Sequence, residues 1–286
     1  MSILNISIAV CTINPDLCLR MLQSLMVFTK NGDQIMVFVD GQLCMKNTSI
    51  NLVDFCQDNH IQIIVNDYNS GLSFCRNKAL QLAKNEYLLF FDDDTILLND
   101  TLNQFREQFK NGKAIGGAKL IPPDEYKNKM RFLSPGYSYL FGIHYNEEKI
   151  WGACFGFDKR IALEHNLFFD DKLGRKGGGL QSGDDTLFVK DYLRINKNSF
   201  FLHCPVLHCF NPNRLTMQYI IRRVFWQGRS EIRRCNFKVG WQKERCRSAI
   251  YENIIQMLTA MMLRVIFLIG CLWEKIYAKG VRRDND

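Results

Sequence analysis

Four short apolar runs open the chain, Ile6 to Val10, Gln34 to Val39, Ile61 to Val65 and Tyr87 to Phe91, each closed by small polar or acidic residues. Runs of this length with polar punctuation read as buried strands. Between them, Leu17 to Phe28 and Phe74 to Leu82 carry apolar residues at helical spacing, with Ser70 or Ser73 as caps of the second. Strand and helix in alternation predict parallel strands joined by crossovers, a Rossmann-like, mostly parallel α/β sheet flanked by helices. Beyond Leu120 the rhythm breaks at Pro122-Pro123, Pro135-Gly136 and Gly177-Gly178-Gly179. The chain therefore divides into an α/β half, 1–120, a second half of the same domain, 121–213, that completes a site, and a C-terminal helical extension, 214–286. In that extension Met257 to Trp273 is the longest apolar stretch, with Arg264 inside it and Lys275, Lys279, Arg282 and Arg283 after it. It falls short of the roughly 20 residues a bilayer span needs. A helix lying in a membrane interface fits, with a buried or dimer-forming helix as the alternative.

Composition adds that 286 residues, 47% of them hydrophobic, can bury a full core. Eleven cysteines without a CxxC pair suit a reduced, cytoplasmic setting. Met1 to Asn5 has no basic segment leading a long apolar run, so no signal peptide is expected. The net charge of +8 is unevenly spread, since residues 214–286 hold 15 Lys+Arg against 6 Asp+Glu. Such a region suits an anionic membrane surface, peripheral on its inner face, or is simply a solvated basic face.

Candidate chemistry gathers where parallel strands end, because ligands of open α/β sheets bind in that crevice. Cys11-Thr12-Ile13-Asn14, Asp40-Gly41, Asn66 to Gly71 and Asp92-Asp93-Asp94 all lie at such ends. Three adjacent carboxylates repel one another, and a hard divalent cation, Mn2+ or Mg2+, that also takes phosphate oxygens would relieve them. A solvated acidic turn is the plainer reading. Neither GxGxxG nor GxxxxGK[ST] is present, which sets aside a dinucleotide fingerprint and a P-loop. A second acidic pair, Asp184-Asp185, follows Arg175-Lys176 and three glycines and opens a helix, whose dipole favours an ionised carboxylate able to accept a proton. His203 and His208, near Cys204 and Cys209, lack the partners of a structural zinc site, which leaves His208 as a further ligand of the acidic site or a buried strand histidine. Arg222, Arg223 and Trp226 share a helix, where arginine suits phosphate and tryptophan a sugar face. The acidic cleft argues against nucleic acid.

In this order the motifs resemble the inverting, metal-dependent GT-A fold of family 2 glycosyltransferases. The resemblance runs from Ile6 to Arg229 through Thr12-x-Asn14, Val39-Asp40-Gly41, Asn69-x-Gly71-x-Ser73-x-x-Arg76-Asn77, Asp92-x-Asp94, Gly152-Ala153, Gly183-Asp184-Asp185, His208 with Pro212 and Arg214, and Arg223-x-x-Trp226-x-x-Gly228. It implies a nucleotide-sugar donor, with Thr12 and Asp40 at the nucleobase and Arg76 on the nucleotide, alongside Asn14, Gly71, Asp93, Arg223 and Trp226 in the donor site. Asp92 and Asp94 would hold ribose and metal, Asp94 as the direct ligand and His208 as a further one. Asp185 maps to the general base, with Asp184 as the alternative; Asp93 is the middle position whose loss should matter least. The displaced glutamine, Gln218, departs from the processive Gln-x-x-Arg-Trp pattern, so transfer of single sugars to a saccharide or lipid-linked acceptor is implied. Two rivals remain: a sugar nucleotidyltransferase, which would release diphosphate from a nucleoside triphosphate, and an inactive membrane-surface adaptor, which would hydrolyse no nucleotide sugar.

Overall fold

The computed structural model describes residues 4–41, 50–144, 148–235 and 237–283, the side chains of 50 and 278–283 excepted. Cys44, the first three residues and the side chains of Lys279, Arg282 and Arg283 thus lie outside the described residues. The first half runs β1 (Ile6–Thr12), α1 (Pro15–Met26), β2 (Gln34–Asp40), α2 (Ile50–Asp58), β3 (Gln62–Asn66), α3 (Leu72–Leu82), β4 (Tyr87–Asp92), β5 (Thr95–Leu97) and α4 (Thr101–Lys110). It continues through β6 (Ile115–Ile121), α5 (Asp124–Lys129), a 3-10 turn at Pro135–Phe141, β7 (Cys154–Asp158), α6 (Lys159–Glu164), α7 (Asp184–Ile195) and β8 (Ser199–His208). Three helices close the chain, α8 (Met217–Arg234), α9 (Phe237–Ser248) and α10 (Ile254–Arg283).

The strands form one eight-stranded sheet in the order β3-β2-β1-β4-β7-β6-β8-β5. β3, β2, β1 and β4 are parallel neighbours, as their apolar runs predict. Those runs are continuous because both faces are covered. Ile6, Ile8 and Val10 join Met21, Leu22 and Leu25 of α1 on one face, while Ala9 joins Cys75, Ala79 and Leu80 of α3 on the other. β7 then runs antiparallel to both β4 and β6, and β5 antiparallel to β8, so the sheet is mixed on the side that receives the second acidic motif.

A third core, including Tyr137, Phe141, Phe210, Val224, Leu263 and Phe267, binds α8 and α10 to the middle of the chain. α8 and α10 cross at two glycines, since a Cβ on Gly228 would stand 2.2 Å from Phe267 O and one on Gly270 2.1 Å from Phe225 O. The start of α3 differs from expectation. Gly71, not a serine, caps it at φ +103° and makes no side-chain bond, while Ser73 lies inside the helix and donates to Asp170 O at 3.1 Å. A left-handed cap with the Arg175 carbonyl 3.2 Å from the position of a Cβ leaves room for glycine only.

Candidate active site

β4 ends at Asp92, and Asp93-Asp94 turn the chain into β5, which pairs with β8 so that Thr95 stands opposite His208. This pairing brings His208 Nε2 to 3.0 Å from Asp94 Oδ1, and Arg214 Nη1 reaches Asp94 Oδ2 at 3.3 Å. Burial alone would raise the Asp94 pKa, but His208 and Arg214 override it and hold the carboxyl well below its usual range. Burial likewise disfavours the His208 imidazolium, yet Asp94 raises its pKa overall. Ligand atoms of Asp92, Asp94 and His208 all lie within 4.8 Å of one another. Two carboxylates and an imidazole at one point, with Asp92 partly open, fit a hard divalent ion that completes its shell with water and phosphate oxygens. To ligate such an ion His208 would be neutral, the ion's charge standing in for its proton.

Asp93 is more than a spacer. Thr12 Oγ1 donates to Asp93 Oδ2 at 2.5 Å and accepts the Asn14 N–H at 2.8 Å, which ties the end of β1 to the end of β4. Burial and then the neighbouring Asp94 push the Asp93 pKa up to about 7. Asp40, buried at the end of β2, accepts from the backbone of Ser70 and Gly71, both at 2.8 Å, and from Asn66 Nδ2 at 2.9 Å. Thr12 and Asp40 border the cleft. Asn14 does not: its exposed carboxamide caps α1 by accepting from Asp16 N and Leu17 N. Gly71 contributes as the backbone donor to Asp40.

Arg76 lines the cavity from a buried position. Only 3% exposed, its guanidinium donates to Asp184 Oδ2 at 2.7 Å and to Gly152 O at 3.0 Å, and reaches Asp92 Oδ1 at 3.4 Å. Phe90, Phe155 and Phe169 enclose it at 5.6–5.8 Å. One cation therefore joins the two acidic motifs. Asp184 is buried on it, and burial, ahead of the opposing pull of Arg76, raises the Asp184 pKa. Asp185 borders the same cleft, with Oδ2 accepting from Gly152 N at 2.7 Å and Oδ1 from Thr186 N at 2.7 Å. A Cβ at Gly152 would stand 2.7 Å from Asp185 Oδ2 and 2.8 Å from Arg76 Nη2, so this position admits no side chain without displacing one of them.

These groups line one cavity of ≈ 1330 Å³. The glycine segment over it is pinned on one side by Leu72 N to Arg175 O at 2.9 Å and Gly177 N to Asn69 Oδ1 at 3.0 Å. On the other side Ser182 Oγ donates to Gln227 Oε1 of α8 at 3.0 Å. Arg223 lines the cavity with its Nε buried and unpartnered, donating only through Nη1, to Gln227 Oε1 at 3.1 Å and Leu180 O at 3.5 Å. Burial, and then Arg175, lower its pKa to about 10. Trp226 lies elsewhere, under the Arg229 guanidinium at 4.2 Å and in a separate apolar groove with Phe225 and Ile269. Sequence reasoning gave no role to Arg214, although it follows His208 closely, nor to Arg234, Lys243 and Arg247, which line the same cavity and entered only as net charge.

Residues 7–165 match the family described as Glycosyl transferase family 2. Among curated proteins, a glucosyl-dolichyl phosphate glucuronosyltransferase of Haloferax volcanii is 25% identical over 191 residues, covering 62% of this chain and 60% of that protein. Among solved structures, S. aureus TarS 1-349 in complex with UDP superposes with a TM-score of 0.57 at 15% identity, over 97% of this chain and 92% of that one. The mannosyltransferase PcManGT of Pyrobaculum calidifontis, in complex with GDP-Man and Mn2+, gives 0.58 at 10% identity, over 94% and 86%. At these identities the two structures establish the likeness of fold, the GT-A arrangement that the motifs imply.

Proposed function

The chain belongs to glycosyl transferase family 2, and from that premise we propose that it moves one hexosyl unit, with inversion, from a UDP-linked sugar to a saccharide or lipid-linked acceptor in cell-surface polysaccharide or glycolipid synthesis. The observation that carries this reading is the convergence of two acidic motifs on one cavity, joined by Arg76: Asp92, Asp94 and His208 form one group, and Asp185 stands apart from it. Asp185 accepts the proton of an acceptor hydroxyl, whose oxygen attacks the anomeric carbon opposite the departing nucleoside diphosphate. Asp92, Asp94 and His208 would hold Mn2+ or Mg2+, which when bound offsets the charge of the leaving diphosphate. Arg214 and Arg223 face the same anion, while Thr12 and Asp40 shape the nucleobase end. Asp184 positions rather than accepts, because its carboxylate is spent on Arg76.

The same reading places the enzyme at the cytoplasmic face of a membrane. The segment Ile254–Tyr277, long and apolar enough to cross a membrane, contains an 18-residue window of mean hydropathy 2.1, of which only 33% is buried. Ala260, Leu263, Phe267 and Cys271 face the protein, whereas Leu258, Val265, Ile269 and Leu272 are exposed. A helix covered on one side and apolar on the other suits the bilayer interface.

The test is UDP release from a panel of UDP-sugars with Mn2+. Asp185→Asn should lower turnover by about 10³-fold, within the range for a lost general base, with UDP affinity unchanged. Wild-type turnover in Asp185→Asn together with loss in Asp184→Asn would transfer the base role to Asp184. Indifference to both substitutions would sink the mechanism.

A further inference from the structure

The cavity continues past Asp185 to a wall made by α8 and α9, and that wall carries more positive charge than its own carboxylates answer. Arg234 lies directly against the start of α7, its Nε 3.4 Å from where a Cβ on Gly183 would stand, two residues before Asp185. Arg234 pairs with Glu231, and Lys243 Nζ approaches the same carboxylate at 3.8 Å. Glu231 is fully buried and also receives Gln227 Nε2 at 3.0 Å. One carboxylate thus serves two cations, and the Arg247 guanidinium packs alongside, 4.0 Å from the Tyr139 ring. The other acid of this wall, Glu244, is buried, which raises its pKa against the opposing pull of Tyr137, whose OH donates to its carboxylate at 2.6 Å. Crowding shows on Lys243, whose pKa is lowered first by burial and then, against the pull of Glu231, by Arg234 and Arg247. Bringing an anion to this wall would relieve that repulsion.

We propose that Arg234 and Lys243 form an oxyanion subsite for the acceptor, so that the group receiving the sugar carries a phosphodiester or a carboxylate close to its reacting hydroxyl. The assignment rests on the reading that Asp185 faces the acceptor. It concerns cations other than Arg214 and Arg223, which serve the metal end. Both oxyanions are held by the same charge-assisted hydrogen bonds, and the bilayer face of α10 suits an acceptor whose phosphodiester leads to lipid.

The experiment uses the full chain saturated with UDP and Mn2+, which fills the donor end, and titrates glucose 1-phosphate, glucuronate and glucose by calorimetry. Either anion, or both, should bind at least about tenfold tighter than glucose, and which one does so identifies the oxyanion. Lys243 is 41% exposed, so its variants should fold. Lys243→Gln should weaken the preference and Lys243→Glu abolish it, with UDP affinity unchanged. Equal binding of glucose and both anions, or an intact preference in Lys243→Glu, overturns the subsite. So does a matching loss of UDP, which would assign these cations to the donor. A wild-type protein that prefers an anion yet fails to bind UDP would refute the transferase reading and leave the subsite standing.

Discussion

Replacing Arg76 with Met removes the cation on which both acidic motifs rest, and its effect can be worked from the geometry. At 2.7 Å from Asp184 and an effective dielectric of about 20, the gross attraction is about 6 kcal/mol. Desolvation of two buried ions takes back much of this. The contact with Asp92 adds less, because that side chain is 34% exposed and screened. Burial alone would lower the Arg76 pKa, yet Asp184 and Asp92 hold it above its ordinary value, so the guanidinium stays charged wherever the protein is folded. Breaking such a pair from one side typically costs about 3–5 kcal/mol, since a carboxylate is left buried without a partner. Asp184→Asn in the same background removes that stranded charge. Urea unfolding of Arg76→Met, Asp184→Asn and the double variant should therefore show the double losing about 2–4 kcal/mol less than the sum of the singles. Additivity to within about 0.5 kcal/mol would refute the claim that Arg76 acts chiefly as the counter-ion of Asp184.

Three further outcomes follow from particular contacts. Gly152→Ala puts a methyl 2.7 Å from Asp185 Oδ2, so turnover should fall by about 10²-fold, as for a small misplacement of a reacting group, while UDP affinity measured by calorimetry holds. Glu244 has its folded pKa raised by burial, so its contribution to stability is full below the unfolded value of about 4.3 and is lost as pH rises through the folded value. Glu244→Gln should accordingly gain melting temperature relative to wild type at pH 8 but not at pH 4, and an equal difference at both pH values would contradict this. Leu258→Glu, Val265→Glu and Leu272→Glu together alter only the exposed face of α10, so they should release the protein from anionic vesicles in a flotation assay with its melting temperature nearly unchanged.

β1 to β4 were legible because covering helices on both faces force uninterrupted apolar runs, and a run ended by Asp40 or Asp92 marks its own carboxyl end. β5, at three residues, and β7, whose Cys-Phe-Gly-Phe-Asp is interrupted by glycine, give no such signal; their antiparallel pairing is set by partners 38 to 113 residues away. Sequence distance also hid the ion pair of Arg76, whose partner Asp184 is 108 residues on. Arg223 and Trp226 border different grooves for a different reason. Spacing tells which residues lie near one another on a helix, but which part of α8 meets the cleft was decided by Gly228, where α10 crosses, and that crossing leaves Trp226 in the outer groove.

The basic excess of residues 214–286 invites a surface explanation, and the structure redirects it inward. Arg214 is on Asp94, Arg223 lines the cavity, Arg229 and Arg233 clamp Glu274 at 2.8 and 2.6 Å, and Arg234 and Lys243 share Glu231. Arg264, the charge that seemed to interrupt an apolar helix, donates to Ser248 Oγ at 2.8 Å, and Lys275 sits 4.3 Å from the Phe237 ring. Cations held this way are not available to grip headgroups. On the proposed membrane reading, the apolar face of α10 carries a part of the contact that should weaken only modestly as salt rises, because screening acts on exposed charges and leaves apolar burial intact. Arg214, Arg223, Arg234, Lys243 and Arg247 line the cavity instead. There they oppose the carboxylates of the sheet edge, and Arg223, buried with its Nε unpartnered among the described residues, is the cation whose burial an anion in the cavity would offset most.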